Sequence, residues 1–324
     1  MWKSRWKRDL IFRMNNPFTR RDFLKTGGAM LAATALSNAP LTAQESSALN
    51  TAPKKRSIKK GIAFATVPGK KSVMDKFKML RDAGFDGVEV LGGMDNEDVL
   101  KARDAAGLTI PSLWDAVHWV KTLSDPNPAA REEGLEGLKT ALRDCKAYGG
   151  SSVLLVPAVV NENVSYADAY QRSQAEIRKA IPLAEELGVK IAIENVWNHF
   201  LLSPLEAARY VDEFNSPAMG WHFDVGNVIT FGWPEQWIRI LGKRIQKLHI
   251  KEYSRKKRDA EGLWKGFAVD YLEGDNNWPV VMKALDEVGY NGWAVAEPAY
   301  HPPGLDDFAF LKHVREKMDE ILAL

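Results

Sequence analysis

From Gly61 onward, short apolar runs rich in β-branched residues alternate with longer stretches of amphipathic, helix-like spacing. The short runs are Gly61–Thr66, Gly87–Leu91, Thr109–Leu113, Ser152–Val156, Lys190–Glu194, Gly220–Asp224, Ile245–Ile250 and Gly292–Glu297. Each reads as a strand. Between and after them, residues 71–84, 96–107, 129–148, 167–188, 204–214, 234–242, 277–288 and 306–322 read as helices. Gly84, Gly107, Gly149, Gly188 and Gly289 stand where a helix would end on a left-handed residue. Strands alternating with helices imply βαβ units and a parallel sheet. Eight such units over about 260 residues are the size of an α/β fold of the (β/α)8 TIM-barrel kind. An open, doubly wound sheet is the alternative. It usually carries a G-x-G-x-x-G loop after its first strand, and Gly61–Lys70 has none.

Composition sharpens the picture at the N-terminus. The chain has 324 residues, 45% hydrophobic and 27% charged, with a net charge of only +2. That balance is ordinary, but its distribution is not. Residues 1–60 carry 13 Lys and Arg against Asp9, Asp22 and Glu45, so residues 61–324 are net negative by 8. An acidic body is a poor partner for a phosphate backbone, and no nucleic acid is expected. The basic segment contains Thr19-Arg20-Arg21-Asp22-Phe23-Leu24-Lys25, a short apolar run from Gly27 to Leu36, and small residues ending near Ala43. This resembles a twin-arginine export signal over residues 1–43, with Met14 as an alternative start. The apolar run is too short and interrupted to make a stable membrane anchor. Residues 44–60 read as a basic linker and 61–324 as the catalytic barrel. The expected partner is the twin-arginine export machinery and the expected location periplasmic. The single cysteine, Cys145, can form no internal disulfide, and no thiolate metal site is available.

Chemistry in a barrel of this type sits at the C-terminal ends of the strands. The last four strands end Ile191-Ala192-Ile193-Glu194, Trp221-His222-Phe223-Asp224, Lys247-Leu248-His249-Ile250 and Ala294-Val295-Ala296-Glu297. A lone acid or histidine at a strand end is usually an ion-pair partner. Four in succession, each after an apolar run, point to one metal held by Glu194, Asp224, His249 and Glu297. Three carboxylates and one imidazole favour Mn²⁺, with Mg²⁺, Co²⁺ or Zn²⁺ as alternatives.

The segment from Gly61 to about Leu322 resembles the sugar phosphate isomerase/epimerase family with the xylose-isomerase-like barrel. The resemblance is carried by Glu194-Asn195-Val196-Trp197-Asn198, Phe223-Asp224-Val225-Gly226-Asn227, Lys247-Leu248-His249-Ile250-Lys251 and Ala296-Glu297. Phe200 to Glu206 and Trp233 to Ile238 are most similar to the L-ribulose- or L-xylulose-5-phosphate 3-epimerase branch. The resemblance implies proton transfer next to the carbonyl of a ketose or keto-sugar, through a metal-bound enediolate. It implies Glu194 and Glu297 as catalytic base and acid, and a homodimer or homotetramer.

Further polar residues are expected around a small-molecule sugar substrate: Glu89, His118, Asn227, Lys251 and Arg255. For Arg255 a solvated charge in the run Arg255-Lys256-Lys257-Arg258 is an equal alternative. His222 reads as a satisfied core histidine, two residues before Asp224 and on the same strand face. Trp114, Trp119 and Trp197 either wall a pocket or pack the core. Two positions depart from free-ketose 3-epimerases, where Asn227 would be His and Phe200 would be Glu. They favour the sugar-phosphate branch, whereas export favours a neutral substrate. A keto-glycoside lyase, hydrolase or dehydratase on the same scaffold is the alternative activity. An apurinic-site endonuclease, which gathers more histidine ligands, and a non-catalytic sugar-binding barrel are weaker readings.

Overall fold

The computed structural model describes residues 56–324. The twin-arginine motif and the linker up to residue 55 lie outside the described residues. Among those described, eight parallel strands close into a barrel in sequence order, β1 pairing with both β2 and β8. They are β1 (Lys59–Ala63), β2 (Gly87–Leu91), β3 (Ser112–Trp114), β4 (Ser152–Leu155), β5 (Lys190–Glu194), β6 (Met219–Asp224), β7 (Ile245–Ile250) and β8 (Trp293–Ala296). Closure leaves no sheet edge exposed to pair with another chain.

Ten α-helices follow in chain order among the described residues. They are α1 (Val73–Ala83), α2 (Asn96–Ala106), α3 (Pro128–Tyr148), α4 (Tyr166–Leu187), α5 (Pro204–Asp212), α6 (Val225–Val228), α7 (Pro234–Leu241), α8 (Arg255–Glu261), α9 (Trp278–Glu287) and α10 (Asp307–Ala323). All but α6 and α8 correspond to the helices expected from the periodicity. Ser72, Asp95, Ser165 and Ser203 cap α1, α2, α4 and α5 by accepting from backbone N–H groups of the first turn. The expected terminating glycines, Gly84, Gly107, Gly149, Gly188 and Gly289, have φ between 65° and 92°.

Two strands differ from the sequence reading by more than one residue at an end. The first begins at Lys59, two residues early, and breaks into a single 3₁₀ turn at Phe64–Thr66. Arg56 is already fastened to Asp286, Nε to Oδ1 at 2.7 Å, and Ser57 N donates to Asn291 Oδ1. β3 starts at Ser112 instead of Thr109, because Pro111 has no N–H to give the ladder. Thr109 keeps only an isolated bridge to Gly87. The core fills the barrel and the helix–sheet layer, with Trp221, Trp278, Phe77 and Phe223 fully buried. Cys145 is buried in α3, and burial pushes its thiol up to about 12. None of the described helices is long and apolar enough to cross a membrane.

Candidate metal centre

Glu194 and Asp224 are the last residues of β5 and β6, His249 is the penultimate residue of β7, and Glu297 follows β8. Register pairs Asp224 with His249, and Glu194 with His222, two residues before Asp224 on the same strand face. A register shift lies between Trp221 and His222, where β6 meets β7, and such irregularities re-aim side chains. One ligand-competent atom from each of the four residues lies within 4.8 Å of all the others. His249 Nδ1 is 3.1 Å from Glu297 Oε2, 3.4 Å from Glu194 Oε1 and 3.8 Å from Asp224 Oδ2. Lys251 closes the group as an ion-pair partner, with Nζ 3.0 Å from Asp224 Oδ2 and 2.7 Å from Glu297 Oε2.

Ion pairs aside, His249 Nδ1, Asp224 Oδ2 and Glu297 Oε2 are buried without a hydrogen-bond partner. Three carboxylates crowded at one buried point carry more negative charge than the Lys251 ammonium offsets, so the cluster needs an explanation. A divalent ion supplies one, since each atom offers a lone pair and the set is rich in hard oxygen donors.

Environment drives the two glutamates apart. Burial pushes Glu194 up to about 7, against the pull of His249. Burial acts on Glu297 in the same direction, but the Lys251 ammonium and His249 outweigh it and hold this carboxyl well below the usual range. Burial also raises Asp224.

Behind the ligands lies a second layer. Glu89, on β2, is buried and accepts from Ser112 Oγ at 2.6 Å, from Trp114 Nε1 and from His249 Nε2, the last at 2.7 Å. A carboxylate on the far nitrogen of a histidine fixes its tautomer and leaves the near nitrogen free for a metal. Burial alone would raise Glu89, but the adjoining His249 and His222 bring it down to about 2. Asn195 couples β5 to β6: its Oδ1 accepts from Asp224 N and Trp221 Nε1, and its Nδ2 donates to Asp224 O. Asn227 N donates to Asp224 Oδ1 at 2.8 Å.

The other expected residues are placed unevenly. Asn227 and Lys251 line a cavity of about 370 Å³ at the centre, together with Glu297, Trp119 and Trp197. Trp114 instead packs on His249 at 5.8 Å between ring centroids. Glu89 and His118 are buried outside that lining; His118 Nδ1 accepts from Val156 N, and burial lowers its pKa to about 3. Arg255 turns away: Nε donates to Ile229 O and a terminal nitrogen to Gly232 O, both at 2.9 Å. Of the two readings of Arg255, neither a substrate contact nor a free solvated charge matches this geometry. His222 corrects the sequence reading. It is fully buried, but neither ring nitrogen has a hydrogen-bond partner, because Glu89 Oε1 stays 3.8 Å from its Nε2. Phe200 packs into a cluster with Tyr166, Tyr170 and Tyr210, away from the metal group.

Sequence reasoning missed Trp264 and Phe267, which line the same cavity. The signal available was length: the connection from β7 to α9 runs through residues 251–277, far beyond the usual αβ-barrel loop. A larger cleft of about 650 Å³ lies at the opposite barrel end, lined by Lys190, Asp212 and Arg244, where Arg244 is ion-paired to Asp212.

Comparison with known proteins follows the same lines. Residues 77–318 match the model of the xylose isomerase-like TIM barrel, and residues 17–37 that of the TAT (twin-arginine translocation) pathway signal sequence. The chain is similar to 2-epi-5-epi-valiolone 7-phosphate 2-epimerase of Actinoplanes, 28% identical over 36% of this chain and 41% of that one. It is similar to L-ribulose-5-phosphate 3-epimerase of Escherichia coli, 21% identical over 73% of this chain and 86% of that one. Among solved structures, a 3-keto-D-glucoside 4-epimerase from E. coli superposes with TM-score 0.68 at 17% identity, covering 82% of this chain and 100% of that one. The chain spans 59% and 41% of the length of two of the curated relatives it matches.

Proposed function

The chain belongs to the xylose isomerase-like TIM barrel family, and from that premise we propose that it is a divalent-metal-dependent isomerase or epimerase of a ketose or keto-sugar. The observation that carries this reading is the grouping of one ligand-competent atom each from Glu194, Asp224, His249 and Glu297 within 4.8 Å of one another. Glu194, Asp224, His249 and Glu297 would hold one ion, with Mn²⁺ the favoured metal and Mg²⁺, Co²⁺ or Zn²⁺ alternatives. When bound, such an ion supplies Lewis-acid stabilisation of negative charge on a substrate oxygen.

The chain's own residues do the proton work. Glu194 and Glu297 reach the same point from β5 and β8 and supply the two carboxylates that such a transfer needs. One accepts the proton next to the carbonyl and the other returns a proton, to the opposite face or the neighbouring carbon. Lys251 holds Glu297 ionised, and Asn227, in the cavity lining, offers a donor to substrate oxygens. Glu89 orients His249 instead of touching substrate. The match to a twin-arginine signal supports an exported, periplasmic enzyme. Abstraction followed by loss of a neighbouring group, from a keto-glycoside, is the alternative the similarity to the 3-keto-D-glucoside enzyme favours.

Exchange of a carbon-bound proton for deuterium, in deuterated water with a panel of ketoses and keto-sugars, tests the reading. Metal-dependent exchange lost in Glu194→Gln is expected. Absence of exchange across the panel in metal-loaded wild type would leave a binding protein.

A further inference from the structure

The cavity at the metal centre has a mixed wall. Asn227, Lys251 and Glu297 supply its polar groups and Trp119, Trp197, Trp264 and Phe267 its rings, with Lys251 Nζ 5.5 Å from the Phe267 ring centroid. The Trp197 ring lies 4.6 Å from Trp264 and 4.9 Å from Phe267, centroid to centroid. Trp264 is 68% exposed and Trp119 48% exposed, so two indoles face the opening uncovered. The rings are held in place. Tyr253 Oη donates to Leu263 O at 2.9 Å, and Ser254 N donates to Gly266 O at 2.8 Å. Gly266 sits so close to the Tyr253 ring that a Cβ there would meet it at 2.4 Å. Trp197 is fixed by its Nε1 donating to Asn227 O at 2.9 Å.

Charge narrows the occupant. Lys251 is the one basic residue in the cavity lining among the described residues, and its ammonium is engaged by Asp224 and Glu297. Arg255 donates to backbone carbonyls, and Arg258 to Thr230 O and Asp259. No basic group of that lining is left for a phosphate, which Arg or Lys normally engages. Flat aromatic faces suit the C–H faces of a sugar ring, whose weakly positive hydrogens meet the negative π surface. The volume, about 370 Å³, lies within the range of about 300–1,000 Å³ usual for small-ligand sites.

We propose that the β7–α9 connection builds an aromatic slot that binds an unphosphorylated sugar in its pyranoside ring form, with the ring or its substituent against Trp197, Trp264 and Phe267. This rests on the reading of the metal centre given above and names its substrate class.

Calorimetric titration of the full chain tests it, with methyl 3-keto-D-glucopyranoside and L-ribulose 5-phosphate as probes, in wild type, Trp264→Ala and Trp264→Phe. The ketopyranoside is expected to bind at least tenfold more tightly than the phosphate. Trp264→Ala should weaken it tenfold or more, and Trp264→Phe, which keeps a flat face, no more than threefold. A phosphate that binds as tightly as the ketopyranoside, or a ketopyranoside affinity unchanged in Trp264→Ala, overturns the slot. Proton exchange run on the same samples keeps the two ideas apart. Slot-dependent binding without exchange removes the isomerase reading alone; exchange on the phosphate without ketopyranoside binding removes the slot alone.

Discussion

Strands β5–β8 deliver Glu194, Asp224, His249 and Glu297 to one point where three carboxylates share one imidazole and one ammonium, whereas Glu89, Ser112, Trp114 and His118, on the β2–β4 side, have hydrogen-bond partners of their own. Both sides carry polar groups at strand ends, and both are buried. The difference is satisfaction. A buried carboxylate with three donors, like Glu89, is a support; carboxylates crowded on one another, like Asp224 and Glu297, are suited to hold a cation. The same contrast separates the two faces of one side chain, since His249 gives Nε2 to Glu89 and leaves Nδ1 to the acids.

Substitutions can break or sharpen that contrast. The largest effect is expected on the unsatisfied side: Glu194→Gln or Glu297→Gln should slow substrate proton exchange by roughly 10²–10⁴-fold, the usual worth of a positioned acid or base. An effect that large from Glu89→Gln at saturating metal would erase the distinction. Glu89→Gln should instead weaken metal binding by roughly 10–100-fold, with exchange largely recovered when metal is added. Dialysis against graded metal concentrations, followed by an exchange assay, separates the two outcomes.

His118 gives a smaller, pH-dependent effect on stability. Burial lowers its folded pKa to about 3 from 6.5, so the unfolded chain binds the extra proton. Its contribution is therefore fully present above pH 6.5 and is lost as pH falls toward 3, by up to about 1.4 kcal/mol per pH unit. Urea midpoints measured at several pH values below 6.5 should show a shallower slope in His118→Gln than in wild type. A parallel pair of curves would mean that His118 is charged in the fold. Least affected should be Arg255→Ala, with exchange within about threefold of wild type, because its guanidinium donates to the Ile229 and Gly232 carbonyls and not into the cavity. A larger loss would return Arg255 to the substrate.

The barrel was readable because its period is coarse: eight apolar runs and eight helices repeat with little interruption, and both α4 and α5 announce their ends through Ser165, Gly188 and Ser203. The four ligands were readable because each closes a strand. The supporting residues were not, since nothing in sequence spacing shows that Glu89 on β2 would reach His249 on β7, 160 positions away. Trp264 was missed for a related reason. Its position depends on Gly266 meeting Tyr253 and on α8, a short helix of mostly charged residues with no apolar period to read. Pro111 could have placed the start of β3, because its missing N–H is a local property.

Metal stoichiometry tests the account at its centre. Equilibrium dialysis of the full chain with Mn²⁺ should give one ion per chain in wild type, and none at the same concentration in a protein carrying both Asp224→Ala and His249→Ala. Binding that survives in that variant, or two or more ions per chain in wild type, would contradict a single centre made by Glu194, Asp224, His249 and Glu297.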